Sequence, residues 1–356
     1  MSETMVACVR KGIDQLAIEE IPVPTIQEPT DVILKVRLAA ICGTDVHFLE
    51  LPIPDIAMGH EVVGEIVEMG DQVDGYQSGD RVVMSCMLAC GKCAGCLQGD
   101  PSACTSMGAR VQHGLLIHGC QAEYVRVPHA PNSICKVPDR VTDEQAILTG
   151  DIFSTGMGVL ERAPLRAGDT VAVFALGPLG LCTVKAARTL GAGKVIGIDP
   201  DPFRREIAEK IGANVTIDPT EGDPTGKIMQ ETDGFGVNIA VEAVGKAETL
   251  QGAFRAARIG GAISSLGVYG FATQELPVPL ASGSPVPDAF YHRKFITTLC
   301  PSGHFRLKRL LDLIQYADID FSPIWTHSFP LEKTLEGYEI FKDHSKKAIK
   351  IGIKPS

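Results

Sequence analysis

The sequence predicts an α/β protein in which a mainly β region precedes a doubly wound parallel sheet. Through about residue 150, the chain is rich in valine, glycine and proline, with short alternating runs such as those at 31–40 and 80–85. Such runs, bounded by turn residues, are typical of strands. From about residue 165, buried strand patterns alternate with helical stretches of roughly 10–15 residues. This alternation indicates right-handed βαβ units in a parallel sheet.

Composition and charge exclude several classes of protein. The chain has 356 residues, 45% of them hydrophobic, and 37 glycines, which describes a globular protein of about two domains. A net charge of −10 opposes binding to nucleic acid or to an anionic membrane surface. No run approaches the roughly 18 apolar residues of a membrane span, and the first residues lack the apolar core of a signal peptide. The chain has eleven cysteines, an odd number, and the C-x2-C spacings among them suit metal better than disulfides, so we expect a reducing cytoplasm.

The second region can be divided into elements from its hydrophobic pattern. The predicted elements are a strand at 170–175, a helix after 180, a strand at 194–199, a helix at 202–211, a short strand at 214–218, a strand at 237–244, a helix ending near 258 and a strand at 262–267. The tail after about residue 295 carries one long helical pattern and ends in a strand-like run.

A glycine-containing turn follows the first of these strands. Residues 175–180 read Ala-Leu-Gly-Pro-Leu-Gly, which keeps two of the three glycines of the dinucleotide fingerprint G-x-G-x-x-G. Gly177 would let the backbone approach a pyrophosphate, and Gly180 would let the helix pack closely on the sheet. Ala175 replaces the first glycine. Six residues alone are a weak signal, but the strand before and the helix after them support a nucleotide site at a helix N-terminus.

An acidic residue at the end of the next strand supports the same site. Asp199 stands 19 residues after Gly180, where a carboxylate accepts hydrogen bonds from ribose hydroxyls. The same carboxylate would repel a 2′-phosphate, so the sequence favours NAD over NADP. Arg204 and Arg205 lie nearby and would soften that preference.

Four cysteines on one short segment predict a structural metal site. Cys90, Cys93, Cys96 and Cys104 have the spacing C-x2-C-x2-C-x7-C. An iron–sulfur cluster is the alternative for the first three, but the bacterial ferredoxin run closes with x3 and a following proline, and neither is present. Four thiolates closing a tetrahedral site are typical of structural zinc.

A second set of metal-ligand residues lies upstream. Cys42 in ICGTDVH and His60 in GHEVVGEIVEMGDQV could form part of a mixed-ligand site. A mixed site with an open position is typical of catalytic zinc. Taken singly, Cys42 would more often be a buried small residue and His60 a loop histidine.

The segment GHEVVGEIVEMGDQV fits G-H-E-x2-G-x5-G-x2-V. In this respect the chain resembles the zinc-containing alcohol dehydrogenases of the medium-chain dehydrogenase/reductase superfamily. CGTDVH, the four cysteines and the 175–199 nucleotide pattern occur in that family's order, so the resemblance covers essentially the whole chain. It implies a GroES-like catalytic domain at 1–152 and 295–356, a structural zinc lobe at 86–106, and a Rossmann NAD-binding domain at 153–294.

The resemblance also implies the catalytic metal ligands. Cys42 and His60 correspond to the first two zinc ligands, and Asp151 in LTGDIFSTG to the third, where family members use Cys or Asp. Glu61 would lie behind the metal, or act as a fourth ligand when substrate is absent. Two zinc ions per chain are therefore expected.

The expected cofactor contacts combine the fingerprint with the resemblance. Thr155 resembles a residue that touches the nicotinamide ring. Gly43 stands where some members carry an arginine that binds pyrophosphate, so affinity must come from elsewhere. The predicted NAD-binding residues are Thr155, Gly177, Pro178, Leu179, Gly180, Asp199, Arg204 and Val244.

The chemistry that the resemblance implies is reversible oxidation of an alcohol to a ketone or aldehyde, with hydride transfer to NAD. Thr44 would take the alcohol proton and His47 would pass it to solvent, since an unperturbed histidine pKa near 6.5 suits a relay. The predicted catalytic residues are Thr44, His47 and Glu61. We expect a small or medium apolar alcohol as substrate, and a homo-oligomer, either tetramer or dimer.

Two alternatives remain open at this stage. One is a polyol, threonine or formaldehyde-type dehydrogenase on the same scaffold, because LTGDIFSTG and GCQAEYVRVP also resemble glutathione-independent formaldehyde dehydrogenases. The other is a sensor that binds NAD and has lost catalysis, against which the complete set of relay and ligand residues argues. The substrate-pocket candidates, for which ordinary packing is an equal alternative, are Cys86, Leu88, His113 and Leu299–Cys300.

Overall fold

The computed structural model describes residues 3–53, 55–269 and 292–355, and it confirms an α/β fold with a mainly β region and a parallel sheet. The chain divides into two compact units, the first formed by residues 1–154 and 300–356 and the second by residues 155–299. None of the described helices is both long and apolar enough to cross a membrane.

The first part of the chain is dominated by strands. Its elements are β1 (Thr4–Gly12), β2 (Gln15–Pro22), β3 (Val32–Ile41), α1 (Gly43–Phe48), β4 (Ile56–Ala57), β5 (Val62–Met69), β6 (Arg81–Met84), α2 (Ala94–Leu97), β7 (Tyr124–Val127), α3 (Ala130–Ser133), β8 (Ile134–Lys136), α4 (Asp143–Thr149) and α5 (Ile152–Arg162).

The second unit is a parallel sheet with intervening helices. Its elements are β9 (Thr170–Phe174), α6 (Pro178–Thr189), β10 (Lys194–Ile198), α7 (Pro202–Ile211), β11 (Val215–Ile217), α8 (Pro224–Gln230), β12 (Val237–Glu242), α9 (Ala247–Ala256), β13 (Ala257–Ser265) and β14 (Lys294–Thr297). Its described strands lie in the order β11-β10-β9-β12-β13-β14, all parallel. This is the 3-2-1-4-5-6 order of the doubly wound dinucleotide-binding fold, whose strand order reverses beside β9.

The chain then returns to the first unit. The remaining helices and strands are α10 (His304–Ala317), β15 (Trp325–Pro330), α11 (Thr334–Lys342) and β16 (Lys350–Lys354). β16 pairs with β3, so the last strand enters a sheet of order β15-β16-β3-β5-β6-β8, to which β7 adds by pairing with β3. β1 lies in a separate three-stranded sheet between β2 and β4.

Strands of the two sheets have different hydrophobic patterns because they are buried to different extents. Four of the five residues of β9 are buried, since helices cover both faces of a parallel sheet and leave no solvent face for polar residues. β3 instead interrupts its buried residues with exposed Lys35 and Arg37, as expected of an antiparallel strand with part of one face in solvent. Buried side chains of β3, β5 and β6 pack together in the main hydrophobic core of the first unit.

The predicted elements of the second unit recur with small shifts. α7 spans Pro202–Ile211 as predicted, and β10 ends at Ile198, one residue before its predicted end. The largest difference concerns β13, which begins at Ala257 instead of residue 262. α9 ends at Ala256, and Ala257 already has extended backbone angles, so helix and strand join without a loop.

Candidate metal centres and nucleotide site

The fold brings Cys42, His60 and Asp151 together in a group that we call the mixed cluster. Their ligand atoms lie within 4.8 Å of one another. Asp151 Oδ2 is 3.3 Å from His60 Nε2 and 3.6 Å from Cys42 Sγ. Cys42 stands between β3 and α1, His60 precedes β5, and Asp151 lies between α4 and α5, so three separate parts of the chain supply the group.

A buried carboxylate orients the first two members of the mixed cluster. His60 Nδ1 hydrogen-bonds to Asp45 Oδ1 at 2.9 Å, and the Cys42 backbone N–H donates to Asp45 Oδ2 at 3.0 Å. This bond directs His60 Nε2 toward Cys42 and Asp151, as in metal sites where a carboxylate fixes the histidine tautomer. Among the described residues, Nε2 is buried and has no hydrogen-bond partner. A lone pair facing a carboxylate and a thiol calls for a cation.

The charges of the mixed cluster suit a divalent metal. Burial opposes ionisation of Asp151, but the hydrogen bond and charge of His60 lower the pKa of Asp151 to about 2. Burial also disfavours a charged imidazole, yet the charge of Asp45 and the bond to Asp151 raise the pKa of His60 well above its usual value. Zinc binds a neutral imidazole, so metal binding would displace a proton from His60 Nε2. One thiolate, one imidazole and one carboxylate are a fitting donor set for zinc with an open position.

Glu61 lies beside the mixed cluster and is paired with a lysine from the last strand. Its carboxylate forms an ion pair with Lys350, whose ammonium also donates to the carbonyl oxygen of Ile41 at 3.1 Å. Both side chains are almost fully buried. Burial raises the pKa of Glu61 to about 7, against the opposing charge of Lys350. Asp45 and Lys350 were not identified from the sequence, because neither belongs to a motif with metal-ligand spacing.

The two predicted relay residues follow Cys42 on α1. Thr44 lies in the first turn of the helix and is half-buried. His47 lies in the last turn with 30% of its side chain exposed, and its Nδ1 is 3.7 Å from Glu50 Oε1. His47 thus has the access to solvent that a proton relay needs.

The second cluster is the four-cysteine lobe, formed by Cys90, Cys93, Cys96 and Cys104, whose sulfurs all lie within 4.8 Å of one another. Cys93 Sγ is 3.6 Å from Cys96 Sγ and 3.8 Å from Cys104 Sγ. Cys93 precedes α2 and Cys96 lies within it, so one short helical turn presents two of the sulfurs.

Backbone groups in the lobe favour a thiolate. The hydrogen bond from the Cys96 backbone lowers the pKa of Cys93 to about 5. At Cys90, burial raises the pKa, but hydrogen bonds from Ser106 and from the backbone of Lys92 outweigh it and lower the pKa overall. Burial instead raises the pKa of Cys96 and of Cys104, so these two thiols would give up their protons only when a metal binds. Four converging cysteines fit a closed zinc site.

The predicted nucleotide turn joins β9 to α6. Gly177 is the residue before the helix, Pro178 is its first residue, and a Cβ added at Gly177 would meet open space. A Cβ at Gly180 would collide with the carbonyl oxygen of Ala175, which explains the need for glycine there. Ala175 adopts φ 73°, the left-handed conformation that the fingerprint's first glycine normally supplies. Leu179 follows Pro178 in the first turn of α6.

Asp199 stands at the carboxyl end of β10 and supports that turn. Its Oδ2 accepts the Leu176 backbone N–H at 2.7 Å, and its Oδ1 accepts the Asp201 N–H at 2.9 Å. Arg204 Nη1 lies 3.9 Å from Asp199 Oδ2 and its Nε lies 3.8 Å from Asp201 Oδ2. Arg205 donates instead to the Asp199 carbonyl oxygen at 2.7 Å.

A further buried carboxylate at the same edge of the sheet was not identified from the sequence. Glu242, at the end of β12, accepts the N–H groups of Val244 and Gly245 at 2.8 and 2.7 Å, and the hydroxyl of Tyr269 at 2.9 Å. It therefore fixes the loop that carries Val244, one of the predicted cofactor contacts. Thr155, another predicted contact, is buried on α5. A lone Glu inside an apolar strand was the only available signal.

The predicted pocket residues have different surroundings. Cys86 and Cys300 approach Asp151, with their sulfurs and a carboxylate oxygen within 4.8 Å of one another. Leu88 packs in the main core of the first unit, and His113 donates through Nε2 to the Arg126 carbonyl oxygen at 2.9 Å. Leu299 is exposed.

Comparisons with known proteins agree with this architecture. Residues 28–139 match the alcohol dehydrogenase GroES-like domain, and residues 178–315 match the zinc-binding dehydrogenase family. An alcohol dehydrogenase of Cupriavidus necator is 36% identical over the whole of both chains. A probable zinc-binding alcohol dehydrogenase of Mycobacterium tuberculosis is 32% identical, covering 99% of this chain and 89% of that protein. The solved structure of alcohol dehydrogenase TADH from Thermus sp. ATN1 matches with a TM-score of 0.89 and 34% identity, over 99% of this chain and 100% of that one.

Proposed function

Because the chain belongs to the zinc-containing alcohol dehydrogenases of the medium-chain dehydrogenase/reductase superfamily, we propose that it oxidises small or medium apolar alcohols with NAD. It is an oxidoreductase that uses zinc and a nicotinamide cofactor and acts on small molecules. The observation that carries the proposal is the presence of two different clusters. The mixed cluster has three protein ligands, as catalytic zinc sites do, and the four-cysteine lobe has four, as structural sites do.

In the proposed mechanism, Cys42, His60 and Asp151 hold the catalytic zinc. When bound, zinc supplies a Lewis acid that lowers the pKa of the substrate hydroxyl, and the nicotinamide ring supplies the hydride acceptor. Asp45 keeps His60 Nε2 directed at the metal position through the bond to Nδ1. The Glu61–Lys350 pair supports the site electrostatically from behind Cys42 and His60.

Proton removal is assigned to α1. Thr44 accepts the substrate's hydroxyl proton at its side-chain oxygen and gives up its own proton toward His47. His47 is partly exposed and releases the proton to solvent. A histidine suits this step because its ordinary pKa lies near neutrality.

The apolar surroundings of the mixed cluster support the proposed substrate class. The Phe48 ring lies 6.2 Å from the His60 ring, centroid to centroid, and Met87 packs with Cys86 and Cys300 beside Asp151. The segment 48–59, of which residue 54 lies outside the described residues, is largely apolar in sequence. An apolar wall gains roughly 0.8 kcal/mol for each methylene that it buries and penalises unpaired substrate hydroxyls.

The test is kcat/KM for NADH formation with 2-butanol, 1-butanol, sorbitol, threonine and formaldehyde. The two butanols should give the highest values. A clear preference for sorbitol, threonine or formaldehyde would assign the protein to the polyol, amino-alcohol or formaldehyde type and contradict the apolar substrate.

The cofactor-binding part of the proposal assigns residues 153–294 to NAD, and 1–152 with 295–356 to catalysis. Asp199 sets the preference, since its buried carboxylate disfavours a 2′-phosphate. Wild-type protein should prefer NAD⁺ to NADP⁺, and Asp199→Asn should narrow the ratio of the two kcat/KM values by roughly tenfold, about 1.4 kcal/mol. Glu206→Gln, which removes an exposed carboxylate of α7 that pairs with Lys210, is the matched control. A wild-type preference for NADP⁺ would contradict the assignment.

The proposal also includes a homo-oligomer, a tetramer or a dimer, located in the cytoplasm. Eleven cysteines, five of them in the two clusters, support a compartment in which thiols stay reduced. Light scattering of the purified protein measures the oligomeric state directly.

A further inference from the structure

Two thiols beside Asp151 have no role in the proposed reaction. Cys86 lies just beyond β6, and Cys300 lies shortly before α10. Their sulfurs and a carboxylate oxygen of Asp151 all lie within 4.8 Å of one another. Cys86 is 1% and Cys300 is 6% exposed. The fold has therefore placed two thiols, far apart in sequence, against one proposed zinc ligand.

The backbone that carries Asp151 holds this pair in place. The Cys86 backbone N–H donates to the Gly150 carbonyl oxygen at 3.0 Å. The Cys300 thiol is directed at the carbonyl oxygens of Gly150 and Asp151, at 3.7 and 3.5 Å. The backbone of Cys86 and the thiol of Cys300 are thus both hydrogen-bonded to the segment 150–151.

The remaining surroundings of the pair are apolar. Cys86 and Cys300 form a small buried cluster with Met87, and Val111 packs against it. If Cys42, His60 and Asp151 bind the catalytic zinc, neither Cys86 nor Cys300 is needed as a ligand. Two uncommitted thiols at this distance can be joined, because a disulfide needs Cβ atoms about 3.5–4.5 Å apart and side-chain rotation brings the sulfurs together.

We propose that Cys86 and Cys300 are a redox modification site, which a hydroperoxide converts to a reversible disulfide. This goes beyond the proposed alcohol oxidation, and it rests on that function only for its effect on turnover. A disulfide at this point ties the end of β6 to the segment before α10, directly against residues 150 and 151. Asp151 would then move relative to Cys42 and His60.

The reaction balances with one hydroperoxide. The sulfur of one thiol attacks the peroxide, the O–O bond breaks, and the products are a sulfenic acid and an alcohol that takes up the thiol proton. The second sulfur attacks the sulfenic sulfur, the S–O bond breaks, and water leaves with the second thiol proton. Two thiols are oxidised to one disulfide while the peroxide is reduced to an alcohol and water. A phosphine reverses the change: its phosphorus attacks one sulfur, the S–S bond breaks, and one water converts the phosphine to its oxide while both thiols are regained.

The test treats the full-length, zinc-loaded protein with tert-butyl hydroperoxide, blocks free thiols with iodoacetamide, and maps disulfides by mass spectrometry. The expected result is a Cys86–Cys300 linked peptide that accumulates in parallel with a loss of turnover of about tenfold or more, since small misplacements of reacting groups are costly. Zinc should stay at two per chain, and tris(carboxyethyl)phosphine should restore both free thiols and turnover.

A pair of variants makes the test specific. Cys300→Ala should lose the reductant-reversible phase of inactivation. Cys135→Ala, which removes another buried thiol of the same unit, should respond to peroxide as wild type does.

Two results would overturn the proposal. One is inactivated wild type that carries oxidised Cys42 or has lost zinc, with no Cys86–Cys300 peptide. The other is reversible inactivation that persists in Cys300→Ala. If the protein oxidises no alcohol at all, the proposed function fails, but the linked peptide still decides whether the thiol pair exists as a redox site.

Discussion

The four-cysteine lobe and the mixed cluster gather metal-ligand side chains in opposite ways. The lobe takes all its sulfurs from residues 90–104, whereas the mixed cluster takes its three members from residues 42, 60 and 151. Two of the lobe's cysteines are partly exposed, while Cys42 and His60 are buried. A site of local origin can be completed by turns of the backbone alone. A buried site of distant origin needs the whole sheet to be assembled first.

The two sites also differ in the net charge of zinc and its ligands. Four thiolates around Zn²⁺ leave a net charge of about −2, which solvent near the lobe can screen. One thiolate and one carboxylate would neutralise Zn²⁺ in the mixed cluster, where Cys42 and His60 are buried and Asp151 is only slightly exposed. That cluster is instead balanced by Asp45, Glu61 and Lys350, all buried. We therefore propose that zinc in the four-cysteine lobe stabilises the fold. In the mixed cluster, the buried charges around the metal position instead prepare the site for a reaction.

Replacement of Asp151 should give the largest effect, and it tests whether the mixed cluster is the catalytic site. Asp151→Ala should lose about one of two zinc ions and lower kcat/KM by about 10³-fold or more, because the metal supplies several kcal/mol of transition-state stabilisation. Circular dichroism should stay unchanged, since the lobe keeps its zinc. Asp312→Ala, on the exposed face of α10, is the control. Near-normal turnover with one zinc would show that the mixed cluster is not the catalytic site.

The buried ion pair predicts the next largest effect. Lys350→Met should lower the free energy of unfolding by about 3–5 kcal/mol, because the buried Glu61 carboxyl loses its ion-pair partner and must either stay charged in the interior or take up a proton. The double variant Glu61→Gln with Lys350→Met should recover more than half of that loss in urea denaturation. A double variant as unstable as the single one would mean that packing, and not charge, is responsible.

The buried His113 lies outside both clusters and shows how burial affects the pH dependence of the free energy of unfolding. Burial lowers the pKa of His113 to about 4, against an unfolded value near 6.5. The unfolded chain therefore binds the proton first as pH falls, so stability present above about pH 6.5 is lost toward pH 4. The loss amounts to about 3 kcal/mol. His113→Gln should flatten this part of the stability profile in urea titrations at several pH values. An unchanged profile would assign the acid sensitivity to other groups.

The lobe should give the smallest effect, confined to stability. Cys93→Ser should lose the structural zinc and lower Tm by roughly 4–8 °C, the shift that a loss of about 2 kcal/mol produces in a domain of this size. Turnover per remaining zinc should persist. Lys92→Ala, an exposed neighbour, is the control. Normal Tm with two zinc ions bound would refute the structural assignment.

The same contrast explains what could be predicted from the sequence. The βαβ pattern of the second unit is local, so α7 and the parallel arrangement of its strands followed from periodicity and general rules of connection. The cysteines of the lobe are likewise close in sequence, and their spacing alone indicated convergence, which the structure confirms geometrically. Asp151 required the family resemblance, because a single loop carboxylate carries no pattern.

The groups that support the mixed cluster were beyond sequence reasoning. Lys350 looked like one basic residue in a strand-like tail, and only the pairing of β16 with β3 brings it to Glu61. Asp45 lies within CGTDVH, but nothing in that segment distinguishes it as a partner of His60. Cys86 and Cys300 were recognised as pocket candidates, but their approach to each other depends on the fold.

Ala175 has a consequence for recognising such proteins. An alanine in the left-handed conformation costs about 1–2 kcal/mol, while glycine loses about 0.5–1 kcal/mol more conformational entropy on folding than alanine does. The second cost offsets about half of the first, so alanine can occupy this turn with only a modest loss of stability. Gly180, which has no room for a Cβ, has no such freedom. A search that demands all three glycines would therefore miss functional members, and the last glycine is the more reliable criterion.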